Sequence, residues 1–110
     1  MKILTKEIER KLIQQFEQPD SADKKPYLKL FGGSAATWLI SEYNKAEDMY
    51  FGLCDLGFGT PELGYVSKSE LEALRFKPFN LPIERDRSFT PQKTLIEYAR
   101  AARHAGSIEA

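Results

Sequence analysis

A single cysteine, Cys54, leaves this 110-residue chain unable to form an internal disulfide. That suits a reducing compartment. The one histidine, His104, joins that cysteine in a set too small for a typical zinc site. Net charge is also missing, because sixteen basic residues balance sixteen acidic ones. A neutral chain lacks the bulk footprint of a general nucleic-acid binder. No apolar run approaches the ~20 residues needed to cross a bilayer. The opening Met1-Lys2-Ile3-Leu4-Thr5-Lys6-Glu7 meets acidic charge at once and has no apolar signal-peptide core. The expected location is therefore cytoplasmic, with no membrane association. Gly-Lys-Ser and Gly-Lys-Thr are absent as well, so Gly57-Phe58-Gly59-Thr60-Pro61 reads as a turn and not as a phosphate-cradling loop.

Apolar residues make up 42% and charged residues 29%, and seven Phe, five Tyr and one Trp supply core-forming rings. The length allows one domain, residues 1–110, with 105–110 expected as a disordered tail. Ile8, Leu12, Ile13 and Phe16 recur at helical spacing behind Thr5, a plausible N-cap, and predict a helix over 5–17. A polar connection, 17–26, follows. Strands are expected at 27–31, 37–43, 49–56 and 63–66, joined by links too short for parallel crossovers. Ser67 and Glu70 form a capping-box pattern ahead of a short helix with Leu71 and Leu74 inward. Residues 83–89 alternate as a last strand, with Ile83, Arg85, Arg87 and Phe89 on one side. Thr90-Pro91 reads as the start of a closing helix to about Arg103, with Leu95, Ile96 and Ala99 inward and Gly106 as the stop. The fold class is thus α+β: a small antiparallel meander of four to five strands, packed with N-terminal and C-terminal helices and one short internal helix.

Chemistry-bearing residues are few. His104 lies at the end of a helix, where a solvated imidazole is the common outcome, and Cys54 sits among apolar strand residues as an inert thiol. No catalytic residue is therefore expected. The run Glu84-Arg85-Asp86-Arg87 alternates in sign within the predicted strand. It reads either as edge protection or as a pocket or docking surface in which Arg85 and Arg87 together hold a carboxylate or phosphate. Lys93, Glu97, Arg100 and His104 share one helix face, read as solvated, with a weak phosphate contact as the alternative. Tyr27, Phe31, Trp38, Tyr43, Tyr50, Phe51, Phe58 and Tyr65 cluster on the strands and are read chiefly as core.

Further motifs carry a family likeness. Leu4-Thr5-Lys6-Glu7, Phe51-Gly52-Leu53, Pro61-Glu62-Leu63-Gly64-Tyr65-Val66-Ser67, Ser69-Glu70-Leu71-Glu72, Leu81-Pro82-Ile83-Glu84-Arg85-Asp86 and Phe89 together resemble the bacterial family named domain of unknown function 2958. Val66 and Lys68 depart from it, standing where relatives are expected to carry an aromatic and an apolar residue. The resemblance implies a protein of conjugative plasmids and integrative elements and brings no catalytic residue with it. The expected function is a non-catalytic binding protein acting through a protein partner, in element maintenance, transfer or evasion of host defence. The candidate contact residues are Glu62, Tyr65, Glu84, Arg85, Asp86 and Arg87, with no cofactor and no metal. Two other readings stand beside it: a nucleic-acid-binding accessory protein, stacking bases on the strand aromatics, and a small metal-dependent hydrolase or nuclease. The latter requires Asp55, Glu62, Glu84 or Asp86 to converge.

Overall fold

The computed structural model describes residues 3–20 and 24–110. The middle of the polar connection expected at 17–26 lies outside those residues. Elements follow in the order α1 (Lys6–Phe16), β1 (Leu28–Gly32), β2 (Ala36–Asn44), β3 (Met49–Asp55), β4 (Glu62–Ser67), α2 (Lys68–Ala73), β5 (Glu84–Arg85) and α3 (Leu95–Ala105). The strands form one antiparallel sheet ordered β4-β3-β2-β1-β5. The first four make the expected meander, and β5 returns across the molecule to the free side of β1. The fold is α+β, as the sequence pattern predicts.

Both faces of the sheet are covered. Leu28, Leu30, Trp38, Ile40, Tyr43 and Tyr50 pack on one side with Leu12 of α1 and Leu71 of α2. Leu39 and Leu53 pack on the other with Leu95, Tyr98, Ala99 and Ala102 of α3. The alternation of β2 changes phase part-way, since Trp38, Ile40 and Tyr43 all belong to the first face. A bulge between Ile40 and Glu42 supplies the extra residue.

That bulge explains the main departure in α1. Thr5 caps the helix as expected, accepting from the Ile8 N–H at 3.1 Å. Phe16, however, stays exposed, and Gln15 is buried in its place. The Gln15 carboxamide donates to the Ser41 carbonyl at 2.7 Å and to the Lys25 carbonyl at 2.8 Å, and it accepts from the Lys25 N–H at 3.0 Å. A polar side chain is buried there because it satisfies backbone groups that the bulge and the neighbouring loop leave without ladder partners.

The closing elements also differ from expectation. The strand predicted over 83–89 is only two residues long. The Asp86 carboxylate accepts from the Ser88 N–H at 3.0 Å and its hydroxyl at 2.9 Å, which bends the chain into an Asx turn. Ile83 therefore packs on the α1 face, while Phe89 packs on the α3 face. Likewise α3 starts at Leu95 and not after Thr90. Thr94 and Glu97 form a reciprocal capping box, whereas Thr90 would have Lys93 at the position that needs an acid. The inner stripe becomes Leu95, Tyr98, Ala99 and Ala102, and Ile96 faces outward. Gly106 ends the helix with φ 83°, as expected of a C-terminal stop. Beyond it, the Ile108 N–H donates to the buried Asp55 carboxylate at 2.9 Å, and Lys29 Nζ donates to the Ala110 carbonyl at 2.7 Å.

At α2, Ser67 accepts from the Glu70 N–H at 3.2 Å, and Asp48 adds a second acceptor at the same helix start. Its carboxylate accepts from the N–H and hydroxyl of Ser69 and from the Ser67 hydroxyl. Leu74 falls beyond the helix end in extended backbone and is exposed, not inward.

Two stability outcomes follow from these contacts. Gln15→Ala strips the partners from buried backbone groups at the bulge and should lower stability by about 3 kcal/mol in urea unfolding. The Tyr50 hydroxyl is buried with no hydrogen-bond partner among the described residues. Removing it in Tyr50→Phe should leave stability unchanged or raise it by about 1 kcal/mol in the same measurement.

Candidate functional site

The six residues singled out from the sequence do not form one surface. Glu62 and Tyr65 lie on β4, and Glu84 and Arg85 lie on β5, at the opposite edge of the sheet. A separate hollow lies at each edge.

The first hollow is an apolar groove of about 340 Å³ along β4 and β3. Its floor holds two glycines, Gly52 and Gly64, which sit directly opposite each other in the β3–β4 register. Gly52 is paired with Ile40 beside the bulge, and a Cβ there would run into the Leu39 carbonyl. Above Gly64 the space is open, with nothing within 4 Å of where a Cβ would lie. Trp38, Ile40 and Val66 close one part of the wall, and Phe58 and Leu56 overhang another. Phe58 is 81% exposed and Tyr65 70% exposed, so much apolar surface at this edge faces solvent. The Tyr65 ring stands edge-on to Phe51, with centroids 5.0 Å apart. That contact fixes its direction, while its body stays uncovered. Cys54 also lines the groove, and burial pushes its thiol pKa up, partly offset by a hydrogen bond with Trp38. A raised thiol pKa keeps it protonated and weakly nucleophilic at neutral pH.

The second hollow, of about 450 Å³, lies between the start of α1 and the turn after β5. Arg85, Asp86 and Arg87 line it. Glu84, on the same strand, is exposed outside it. Arg85 is oriented by donating to the Ile3 carbonyl at 3.3 Å. Asp86 meets Lys29 at 3.4 Å. Hydrogen bonding from the Ser88 side chain, opposed by desolvation and helped by the Ser88 N–H and Lys29, holds its carboxyl below the usual aspartate value. Lys11 and Lys25 reach this hollow from α1 and from the loop after it. Neither was anticipated, since only the folded chain brings them beside the charged strand.

Other expectations are settled by placement. Asp55 and Glu62 lie near the β4 edge and Glu84 and Asp86 near the β5 edge, so the four carboxylates proposed for a metal-dependent hydrolase are dispersed. Among the described residues no three potential ligands cluster. Of the strand aromatics, Trp38, Tyr43 and Tyr50 are core. The Gly57–Pro61 stretch leads into a strand and not a helix, which fits the turn reading. Lys93, Glu97, Arg100 and His104 are all exposed.

Residues 3–109 match a family described as protein of unknown function (DUF2958). The chain belongs to that family. No curated protein matches it, and no solved structure matches it. Family membership covers nearly all of the chain, including both hollows. No helix among the described residues is long and apolar enough to cross a membrane.

The Asp86 turn makes the second hollow acid-sensitive. A carboxyl with a depressed folded-state pKa contributes stability that is fully present above its unfolded value, near about 3.9, and is lost as pH falls through the lower folded value. Asp48, held low chiefly by hydrogen bonds from Ser69, acts in the same direction. Urea unfolding at a series of pH values should therefore show stability falling on the acid side, with a shallower fall in Asp86→Asn.

Proposed function

We propose that this chain is a non-catalytic binding protein that acts through a protein partner, as an accessory protein of a bacterial mobile element. The partner contributes an extended segment that adds to the free edge of β4. One observation carries this reading: β4 is a terminal strand, and the glycine-floored groove runs beside it. An edge strand directs alternate N–H and C=O groups away from the sheet, ready to pair with an added strand. The groove then gives such a strand somewhere to place apolar side chains, which is how strand addition gains specificity. Among the described residues Glu62 is the only charged one lining the groove, so the fitting segment is apolar with a basic residue opposite it. Phe58, Tyr65 and Glu62 line the groove at this edge, while Lys11, Lys25, Arg85 and Arg87 line the hollow at the other edge. Among the described residues no cation lines the groove beside those rings, which favours a protein segment over a nucleic-acid strand at this edge, since base stacking there would need rings and cations together.

The mobile-element setting rests on the family resemblance and gives the partner a class: a protein of the element or of its host.

Gly64→Val tests the proposal cleanly. Space is open there and valine suits a strand, so the variant folds while its side chain fills the groove. Peptides selected from a display library on the intact chain should alternate apolar residues and protect β4 amides from hydrogen exchange. They should bind the variant at least about tenfold more weakly, a loss of about 1.4 kcal/mol. Selected peptides that ignore the substitution, a β4-to-β4 dimer in place of peptide binding, or tighter salt-sensitive binding of a single-stranded oligonucleotide would each overturn it.

A further inference from the structure

Gly52 and Gly64 face each other across β3 and β4, but the fold requires only one of them. A Cβ at Gly52 would strike the Leu39 carbonyl. Gly64 has no such constraint. Its φ lies outside the left-handed region, and nothing comes within 4 Å of where its Cβ would stand. Glycine inside a strand weakens it, because it loses more backbone freedom on folding and packs no side chain. Nothing among the described residues offsets that weakness in β4. A strand glycine of this kind marks a place where a ligand or another chain comes close.

The register gives the shape of that place. On this face the strands carry three cross-strand rows. Trp38, Cys54 and Glu62 form one, Ile40, Gly52 and Gly64 the next, and Tyr43, Tyr50 and Val66 the third. The middle row holds no side chain beyond Ile40, so it is a slot with Trp38 and Cys54 to one side and Val66 to the other. In a sheet, an aromatic ring on a neighbouring strand can cover the backbone that an edge glycine leaves bare. β4 has no neighbour on its outer side, so such a ring has to arrive with an added strand.

We infer, resting on strand addition at this groove, that the partner segment carries an aromatic residue directly opposite Gly64, its ring laid along the slot toward Gly52. Trp38 and Phe58 line the same groove and offer the ring edge or offset contacts. Two places to one side, the segment meets Val66 with an aliphatic residue. Two places to the other, it meets Glu62 with a basic one. Arg103 shares a shallow hollow with Glu62 but makes no ion pair with it, so that carboxylate is open to a partner. Every pairing in the sheet is antiparallel, the more stable arrangement per residue. Added in that sense, the segment reads aliphatic-x-aromatic-x-basic from its N-terminal side.

Two capped peptides test this on the whole chain. One has the core Val-Thr-Phe-Thr-Lys flanked by threonines, and the other has leucine in place of the phenylalanine. Trp38 is the only tryptophan and lines the groove, so its emission reports filling of the slot. Hydrogen exchange of β4 amides reports strand addition separately. The phenylalanine peptide should bind at least about tenfold more tightly than the leucine peptide. Gly64→Ala sets a methyl group where the ring would lie, in open space, and there the two peptides should bind equally. Glu62→Gln should weaken the phenylalanine peptide about threefold and keep its advantage over leucine. Equal binding of both peptides to the unchanged chain, with β4 amides protected, overturns the inference and leaves strand addition standing. An advantage for phenylalanine that survives Gly64→Ala also overturns it, because the ring then lies elsewhere. If neither peptide protects β4 while library-selected segments do, the inference fails alone. If no segment protects β4, strand addition fails with it.

Discussion

The carboxamide of Gln15 ties three separate stretches of chain together at the one place where the sheet is irregular. Its bond to the Ser41 carbonyl satisfies the bulge, and its two bonds to Lys25 fix the loop that leads into β1. Neighbouring Lys24 extends the junction. It pairs with Glu42 at 3.2 Å in a largely buried contact, and its carbonyl accepts from the Leu95 N–H at 2.8 Å, where α3 begins. The helices on the two faces of the sheet are thus linked through a few residues around the bulge. A buried ion pair has a large desolvation cost, part of which is offset here by a second bond from Lys24 Nζ to the Gln18 carbonyl at 3.3 Å.

The same irregularity shapes the groove at β4. The bulge brings the Leu39 carbonyl so close to position 52 that only glycine fits. Gly64 lies across from it, and the paired glycines leave a bare strip of sheet on the face that is otherwise filled by Trp38, Ile40 and Tyr50. A packing requirement in the middle of the sheet therefore becomes an opening at its edge. The bulge also turns Tyr43 back toward α1, so the core closes on one side while the groove stays open on the other.

Much of this was readable from residue order, and the failures have physical causes. The meander followed from short links between apolar-rich runs. Thr5, Ser67 and Gly106 announced helix ends because capping is local chemistry. The start of α3 was misplaced because Thr90-Pro91 is a good local signal that lost to a better one, the reciprocal Thr94–Glu97 box. The Asp86 turn was hidden inside an alternating charge pattern that a strand would also show. The bulge, and with it the burial of Gln15, depends on pairing between strands and leaves no mark on β2 alone. The sites divide in the same way. Glu62, Tyr65, Arg85 and Arg87 stood out as segments, but their separation onto two edges, the facing glycines, and the arrival of Lys11 and Lys25 exist only once the register is set.

The return of β5 to β1 has a consequence for how the chain assembles. The rungs between β1 and β4 close short loops, whereas Leu30 meets Arg85, about 55 residues further on. Longer closures lose more chain entropy before any contact repays it. During synthesis the meander and α1 can therefore settle while the free side of β1 waits for its last strand. The hollow beside β5, made from both the first helix and that last strand, is complete only when the order of assembly has run to its end. A ligand held there would reward the finished chain over any earlier stage.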